Sequence, residues 1–362
     1  MIPLFDAHLD LAWNALSFNR DLTRPVADLR RREAHMTDVR SRGRCTTSLP
    51  ELRRAGVGLC VATLLARSGP AQDPKPAYSR TDLDYADQAI AYAAAQGQLA
   101  YYRALEEHGH LRLLRTAGDL DDHWQTWQQH PDETPLGIIL SMEGCDPIMQ
   151  PNQAEAWWND GLRAAGLTHY GQGHYAFGTG VEGPLSQTGL ALLHRFERLG
   201  IALDVTHLCD ESLAQALDVF GGPVLASHHN CRALVPHQRQ LSDAQIKKLV
   251  ARDAVIGIAF DAWMLYPGWQ HGATSPEVLG LDAAADHLDY LCQLAGTTRH
   301  AAIGSDLDGG FGAEQTPRDL DTIADLQKLG NILTARGYTE DDIAAIFHGN
   351  WRRFFRQALP DA

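Results

Sequence analysis

Several things are scarce in this chain of 362 residues, and each scarcity narrows what it can be. No apolar run approaches the ~20 residues that a membrane-spanning helix needs. The six cysteines (Cys45, Cys60, Cys145, Cys209, Cys231 and Cys292) form no CxxC pair and no tight framework. Set mostly in apolar surroundings, they read as small core residues. Positive charge is short: 31 Lys and Arg stand against 45 Asp and Glu, a formal net charge of -14. Such a chain repels nucleic acid and anionic membranes, so neither is expected as a partner. No Pro/Gly/Ser-rich linker, low-complexity stretch or internal repeat divides the sequence, which points to a single domain over residues 1–362. The opening Met1-Ile-Pro-Leu-Phe-Asp6 has neither a basic n-region nor an apolar h-region, so the cytoplasm is the expected compartment.

What is present is the composition of a globular protein, 44% hydrophobic and 21% charged. Short runs rich in Val, Ile and Leu recur at 4–10, 57–66, 136–143, 161–169, 201–207, 223–228, 254–260 and 301–306. They do not alternate, as suits strands buried on both faces. Helical patterns fill the gaps, among them 82–108, 187–199, 242–251 and 282–295, with Ser242 placed to cap the third. Eight strands with helices between them predict an α/β fold, a (β/α)8 barrel, with a doubly wound open sheet as the structural rival. A ninth run, 111–116, reads as an accessory strand or one outside the barrel.

Polar residues end these runs. His8 and Asp10 close the first, Glu143 the third, His169 the fourth, His207 the fifth, His228 the sixth and Asp306 the eighth. In a parallel barrel all strand C-termini open on one face, so these side chains would converge from topology alone. His8 and Asp10, two apart on a strand, would point the same way and offer the nitrogen and oxygen that catalytic zinc accepts. Glu143 follows an apolar run, where a carboxylate is costly unless paired or metal-bound, and its two oxygens can bridge two cations. The alternative bridge is a carbamylated lysine, but none of Lys75, Lys247, Lys248 and Lys328 ends a central strand. His207 and His228, on successive strand ends, complete a two-metal set. His229, beside His228, would face the other way. Asp306 fits a general base and acid that takes a proton from a metal-held water and returns one to the leaving amine. An Asp-Gly turn acid is a role better suited to Asp308. His169 can donate a hydrogen bond to a developing oxyanion, against the plainer reading of a buried structural histidine.

Together these motifs resemble the membrane dipeptidase (renal dipeptidase) family of the amidohydrolase superfamily. The resemblance rests on Asp6-Ala-His-Leu-Asp10, Ser141-Met-Glu-Gly144, Leu167-Thr-His169, Asp204-Val-Thr-His207, Ser227-His228, Arg239, Gly304-Ser-Asp-Leu-Asp-Gly309 and the closing His348-Gly-Asn-Trp-Arg-Arg-Phe354, in order along nearly the whole chain. It implies a distorted barrel holding two zinc ions per chain. His8 and Asp10 would bind one ion and His207 and His228 the other, with Glu143 between them. It implies hydrolysis of dipeptides, including those with a C-terminal D-residue, through a metal-bridging hydroxide. His169 would contact substrate and Arg239 would hold the dipeptide's carboxylate in a bidentate fork. Without the family, Arg239 also reads as a solvated loop arginine. Family members are often dimers, which leaves room for a homodimer here. Two motifs depart from the family. His8-Leu-Asp-Leu-Ala12 replaces His-Asn-Asp-Leu-Pro, and Ala259-Phe-Asp261 replaces Asn-Phe-Tyr. Asp261 would therefore select a basic or amino-bearing substrate, or cap a turn. Hydrolysis of a lactone, cyclic amide or phosphoester on the same metals is the second functional reading, and a non-catalytic binding barrel is the third.

Overall fold

A computed structural model describes residues 1–69 and 83–361. Lys75, and Asp82 at the start of the first expected helix, lie outside the described residues. Nine strands are present among the described residues: β1 (Leu4–Leu9), β2 (Val57–Leu65), β3 (Leu111–Leu113), β4 (Leu136–Glu143), β5 (Leu162–Gly166), β6 (Ala202–Asp204), β7 (Val224–Leu225), β8 (Ile256–Ile258) and β9 (Ala301–Ile303). Every named pair is parallel, and the main path runs β1-β2-β4-β5-β6-β7. A single bridge, Ala226 to Ile256, joins β7 to β8, and β8 pairs with β9. The ring closes where Asp306 N donates to His8 O at 3.3 Å. This is a distorted (β/α)8 barrel, and the open-sheet alternative is excluded by that closure.

β3 is the accessory strand. It pairs with the first residues of β4, Leu111 with Leu136 and Leu113 with Ile138, on the edge that β5 takes over from Leu140 onward. The later strands are shorter than their apolar runs, because the chain leaves the sheet early to deliver its polar ends to the mouth. Room for closure comes from missing side chains: a Cβ at Gly257 or Gly304 would collide with the Ser227 carbonyl oxygen.

Helices occupy the predicted gaps. Gln187–Leu199 is capped by Ser186, and Gly200 ends it at φ 75°. Asp243–Ala251 carries the expected Ser242 cap, as a capping box with Gln245. The first long helix is Gln88–Glu107, starting at the Asp87 cap. None of the helices is long and apolar enough to cross a membrane, among the described residues. The barrel interior is filled by inward residues such as Phe5, Val61, Ile139 and Leu225. The helix Asn350–Ala358 stops the end where strands begin: Phe355 stacks on Phe5 with ring centroids 5.6 Å apart, and Trp351 Nε1 donates to Ile303 O at 2.8 Å. That plug leaves the opposite end as the one open to ligands. All six cysteines are free and buried, as their apolar settings suggested.

Candidate metal centre and substrate cleft

His8 and Asp10 leave β1 together. Phe5 and Ala7 face the barrel interior, so strict alternation would turn His8 outward. The pairing with β2 slips between Asp6 and Leu9, and this irregularity brings His8 back inside. Asp6 fastens the slip, its Oδ1 accepting from His8 N at 3.1 Å and Ser305 N at 2.8 Å. The Asp10 carboxylate accepts from the Thr63 hydroxyl.

Glu143 ends β4 with its two oxygens turned to different partners. Oε2 lies 3.5 Å from His8 Nε2, while Oε1 lies 3.2 Å from His207 Nε2 and 3.4 Å from His228 Nε2. The two histidine nitrogens are themselves 3.2 Å apart. His207 Nδ1 is 3.0 Å from Thr179 Oγ1 and His228 Nδ1 is 2.9 Å from Ser227 Oγ. With Nδ1–H donated to a hydroxyl, each ring turns an Nε2 lone pair toward the other, an arrangement that suits a cation between them. Two ligands at the ~2.0–2.1 Å of a zinc–nitrogen bond, at a tetrahedral angle, lie about 3.3 Å apart. The spacings around Glu143 match that value. His8 Nε2 and Glu143 Oε1 are both buried without a hydrogen-bond partner. Three donor groups emerge: His8, Asp10 and Glu143; Glu143, His207 and His228; and His8, His228 and Asp306. The donor set fits two cations sharing Glu143.

The electrostatics agree. Burial pushes His207 and His228 well below the ordinary histidine value, leaving them neutral as ligands must be. His8 goes the other way: burial opposes its charge, yet Glu143 and Asp10 hold it well above the ordinary value. Burial raises Glu143 and, strongly, Asp306. So many carboxylates in one dry site carry an excess of negative charge that a cation relieves.

Asp306 sits at φ 59° and His207 at φ 70°, left-handed conformations costly for residues with a Cβ. Asp306 Oδ1 is 3.7 Å from His8 Nε2, and the side chain retains 14% exposure to the cleft. Asp308 sits at φ 65° in a turn, but is no solvated turn acid. Its carboxylate is fully buried and accepts from the backbone N and hydroxyl of both Thr46 and Thr47, at 2.7–3.0 Å.

Around this cluster lies a narrow cleft, open to solvent, walled by Trp13, Leu65 and Leu83 on one side and Trp263 and Met264 on another. A larger depression at the opposite end, lined by Leu49, Arg53 and Trp127 among others, contains none of the three donor groups. His169 lines the cleft, its Nε2 3.8 Å from Glu143 Oε1. Arg239 also lines it and is 2% exposed, which removes the solvated-loop reading. Its Nη2 donates to His228 O at 2.9 Å, while Nε and Nη1 are buried without a protein partner. Asp261 both caps the short helix Ala262–Leu265 and lines the cleft, accepting from Gln315 Nε2 at 2.8 Å. Burial pushes its carboxyl up to about 7. His229 lies outside every donor group. Sequence reasoning missed Trp13 and Tyr170, which line the cleft, and Arg67, whose Nη1 lies 2.9 Å from His169 Nδ1. Arg67 was within reach, since it follows the second apolar run just as the other polar residues follow theirs.

Comparison with known proteins accords with this geometry. The family model for membrane dipeptidase (peptidase family M19) matches residues 1–360. The chain is 30% identical over 220 residues to a dipeptidase of Aspergillus oryzae, aclJ, covering 59% of this chain and 50% of that protein. It thus spans about half the length of that fungal relative. It is 26% identical over 272 residues to a protein of Klebsiella pneumoniae encoded in the pqqA 5' region, covering 72% of this chain and 94% of that one. Among solved structures, a metallopeptidase described as dipeptidase AC superposes with a TM-score of 0.77 at 23% identity, over 100% of this chain and 99% of that one. A Rhodobacter sphaeroides metallopeptidase bound to a phosphinate mimic of L-Ala-D-Ala superposes at 0.75, also at 23% identity, over 99% of each chain. At that identity these two likenesses speak for the fold.

Proposed function

Because the chain belongs to the membrane dipeptidase family, peptidase family M19, a family of metallo-dipeptidases, we propose that it hydrolyses dipeptides, including L-Xaa-D-Xaa substrates, with two zinc ions. His8 and Asp10 would hold one ion, His207 and His228 the other, and Glu143 would join them. The observation that carries this assignment is the split of Glu143, Oε2 toward His8 and Oε1 toward His207 and His228. Bound there, the ions supply a Lewis acid for the peptide carbonyl and lower the pKa of a water at neutral pH.

The chain's own residues supply the rest. Arg239 lines the cleft with Nε and Nη1 unmatched by protein groups and receives the terminal carboxylate, which selects short substrates because a free C-terminus brings that charge to the site. His169 donates from Nε2 to the carbonyl oxygen as it becomes an oxyanion. Asp306 takes the proton of the attacking water and passes it to the leaving amine. The wall of Trp13, Leu65 and Leu83 suits an apolar side chain, and Asp261 suits a cationic one.

A panel of L,L and L,D dipeptides incubated with zinc-loaded protein tests the proposal directly. Release of free amino acids, two zinc ions per chain by elemental analysis and loss of both in Glu143→Gln are expected. Metal-loaded protein that cleaves no dipeptide would exclude the assignment.

A further inference from the structure

Four histidines crowd the barrel mouth, and the Nδ1 partners of three of them fall into two kinds. His207 and His228 face hydroxyls, Thr179 Oγ1 and Ser227 Oγ. A hydroxyl can accept from Nδ1–H. Thr179 is committed to doing so, since its own proton is directed to His207 O at 3.4 Å. His169 Nδ1 instead meets the Arg67 guanidinium, with Nη1 at 2.9 Å. Guanidinium has donors and no lone pair, so two N–H groups would collide there unless Nδ1 is bare. The remaining proton must then sit on Nε2, the nitrogen that looks toward Glu143 Oε1.

We infer that Arg67 is a positioning residue that locks His169 in the Nε2–H tautomer, so that His169 serves as a hydrogen-bond donor to the scissile carbonyl and cannot join the metal ligands. The inference rests on the dipeptidase reading for its catalytic consequence, and on geometry alone for the tautomer. A neutral imidazole with its proton on Nε2 has no lone pair left on the side that faces the metal centre.

Arg67 is itself held rigidly. Its Nη2 donates to Asp84 Oδ2 at 2.7 Å. Its backbone is clasped on both sides, Arg67 N to Leu83 O and Tyr85 N to Arg67 O, each at 2.8 Å. The guanidinium is thereby aimed at His169 from the end of β2, its side chain 17% exposed. The Asp84 carboxylate keeps the charge of Arg67 balanced behind the histidine, so that a donor is presented without placing a second free cation in the cleft.

The test uses zinc-loaded full-length protein, with Arg67→Met removing the donor and Arg67→Lys keeping one. Nitrogen-15 NMR of labelled histidines, with His169 assigned by its loss in His169→Asn, reads the tautomer directly. Wild type and Arg67→Lys should carry the proton on Nε2, and Arg67→Met should populate Nδ1–H. With L-Ala-L-Ala and L-Ala-D-Ala, Arg67→Met should lower kcat by about 100-fold, the scale of a lost oxyanion donor, while KM moves less than about threefold. Arg67→Lys should recover a tenth or more of the wild-type kcat, and the zinc content should be unchanged in both. A wild-type His169 protonated at Nδ1 overturns the inference even if Arg67→Met fails to fold. So does an Arg67→Met variant that keeps kcat within about threefold, or one that changes zinc content. Wild-type protein that cleaves neither dipeptide, nor any other, counts against the dipeptidase reading, and the NMR result still judges the tautomer.

Discussion

Replacing Arg239 by methionine separates what the residue does for the fold from what it does for substrate. In the free protein the guanidinium is buried with Nε and Nη1 unmatched by protein groups, and only Nη2 has a good bond, to His228 O at 2.9 Å. Each buried unmatched donor costs about 1–3 kcal/mol, and the one charged hydrogen bond returns about 1.5–3 kcal/mol. Methionine removes both, and its flexible thioether fills much of the same space. With two such donors removed and one bond lost, the midpoints of those ranges leave about 2 kcal/mol in favour of the variant. For a chain of this length the unfolding entropy is about 0.8 kcal/mol per degree, so Tm should rise by up to about 3 °C. The effect on substrate has the opposite sign. A desolvated carboxylate–guanidinium pair, once broken, costs about 2–5 kcal/mol, which lowers kcat/KM by about 30- to 5000-fold, chiefly through KM. Calorimetry reads the first quantity and steady-state kinetics the second. A dipeptide and its C-terminal amide supply the control: wild type should prefer the acid by about the same factor, and the variant should not distinguish them. If Arg239→Met keeps the preference for the acid, the carboxylate is held elsewhere and the reasoning is wrong.

Two further expectations concern acids near the mouth. Asp308→Asn exchanges one accepting oxygen for an amide donor and leaves two of the four Thr46 and Thr47 donors unmatched. A loss of about 4 kcal/mol, or about 5 °C in Tm, should appear in a thermal melt, and a shift under 1 °C would show that those bonds are not what secures the loop. Asp261 has its folded pKa raised to about 7 by burial, against 3.8 for an ordinary aspartate. The folded chain therefore keeps a proton that the unfolded chain has released, and this contribution to stability declines as pH rises from about 4 to 7. Asp261→Asn should remove that decline from a plot of Tm against pH. Wild type should show a preference for dipeptides with a cationic side chain that grows from pH 6 to pH 8, and the same variant should abolish it. Parallel plots for the two proteins would place the charge change at another residue.

Much of this protein was legible before any coordinates. Eight apolar runs gave the barrel, because strands buried on both faces have no polar side to alternate with. Polar residues at the ends of those runs gave the candidate centre, because parallel strands deliver all their C-termini to one face. His8 and Asp10 lie close enough to Glu143 to form one possible donor group, His207 and His228 form another with it, and His169, Arg239, Asp261 and Asp306 line the cleft beside them. Arg239 was ambiguous between a loop arginine and a substrate clamp, since nothing local marks an arginine eleven residues past a strand as buried.

The sequence by itself determined which kinds of atom arrive at the mouth of the barrel, because residue type and strand order are local and topological facts. Only the tertiary structure decided how those atoms face. His8 points inward because the register of β1 slips against β2, and His207 and His228 do so after their strands have ended, where period two no longer governs. The nitrogen that His207 and His169 offer is set by a partner distant in sequence, Thr179 for His207 and Arg67 for His169. Side-chain direction and proton position depend on contacts across the fold, and such contacts have no signature along the chain.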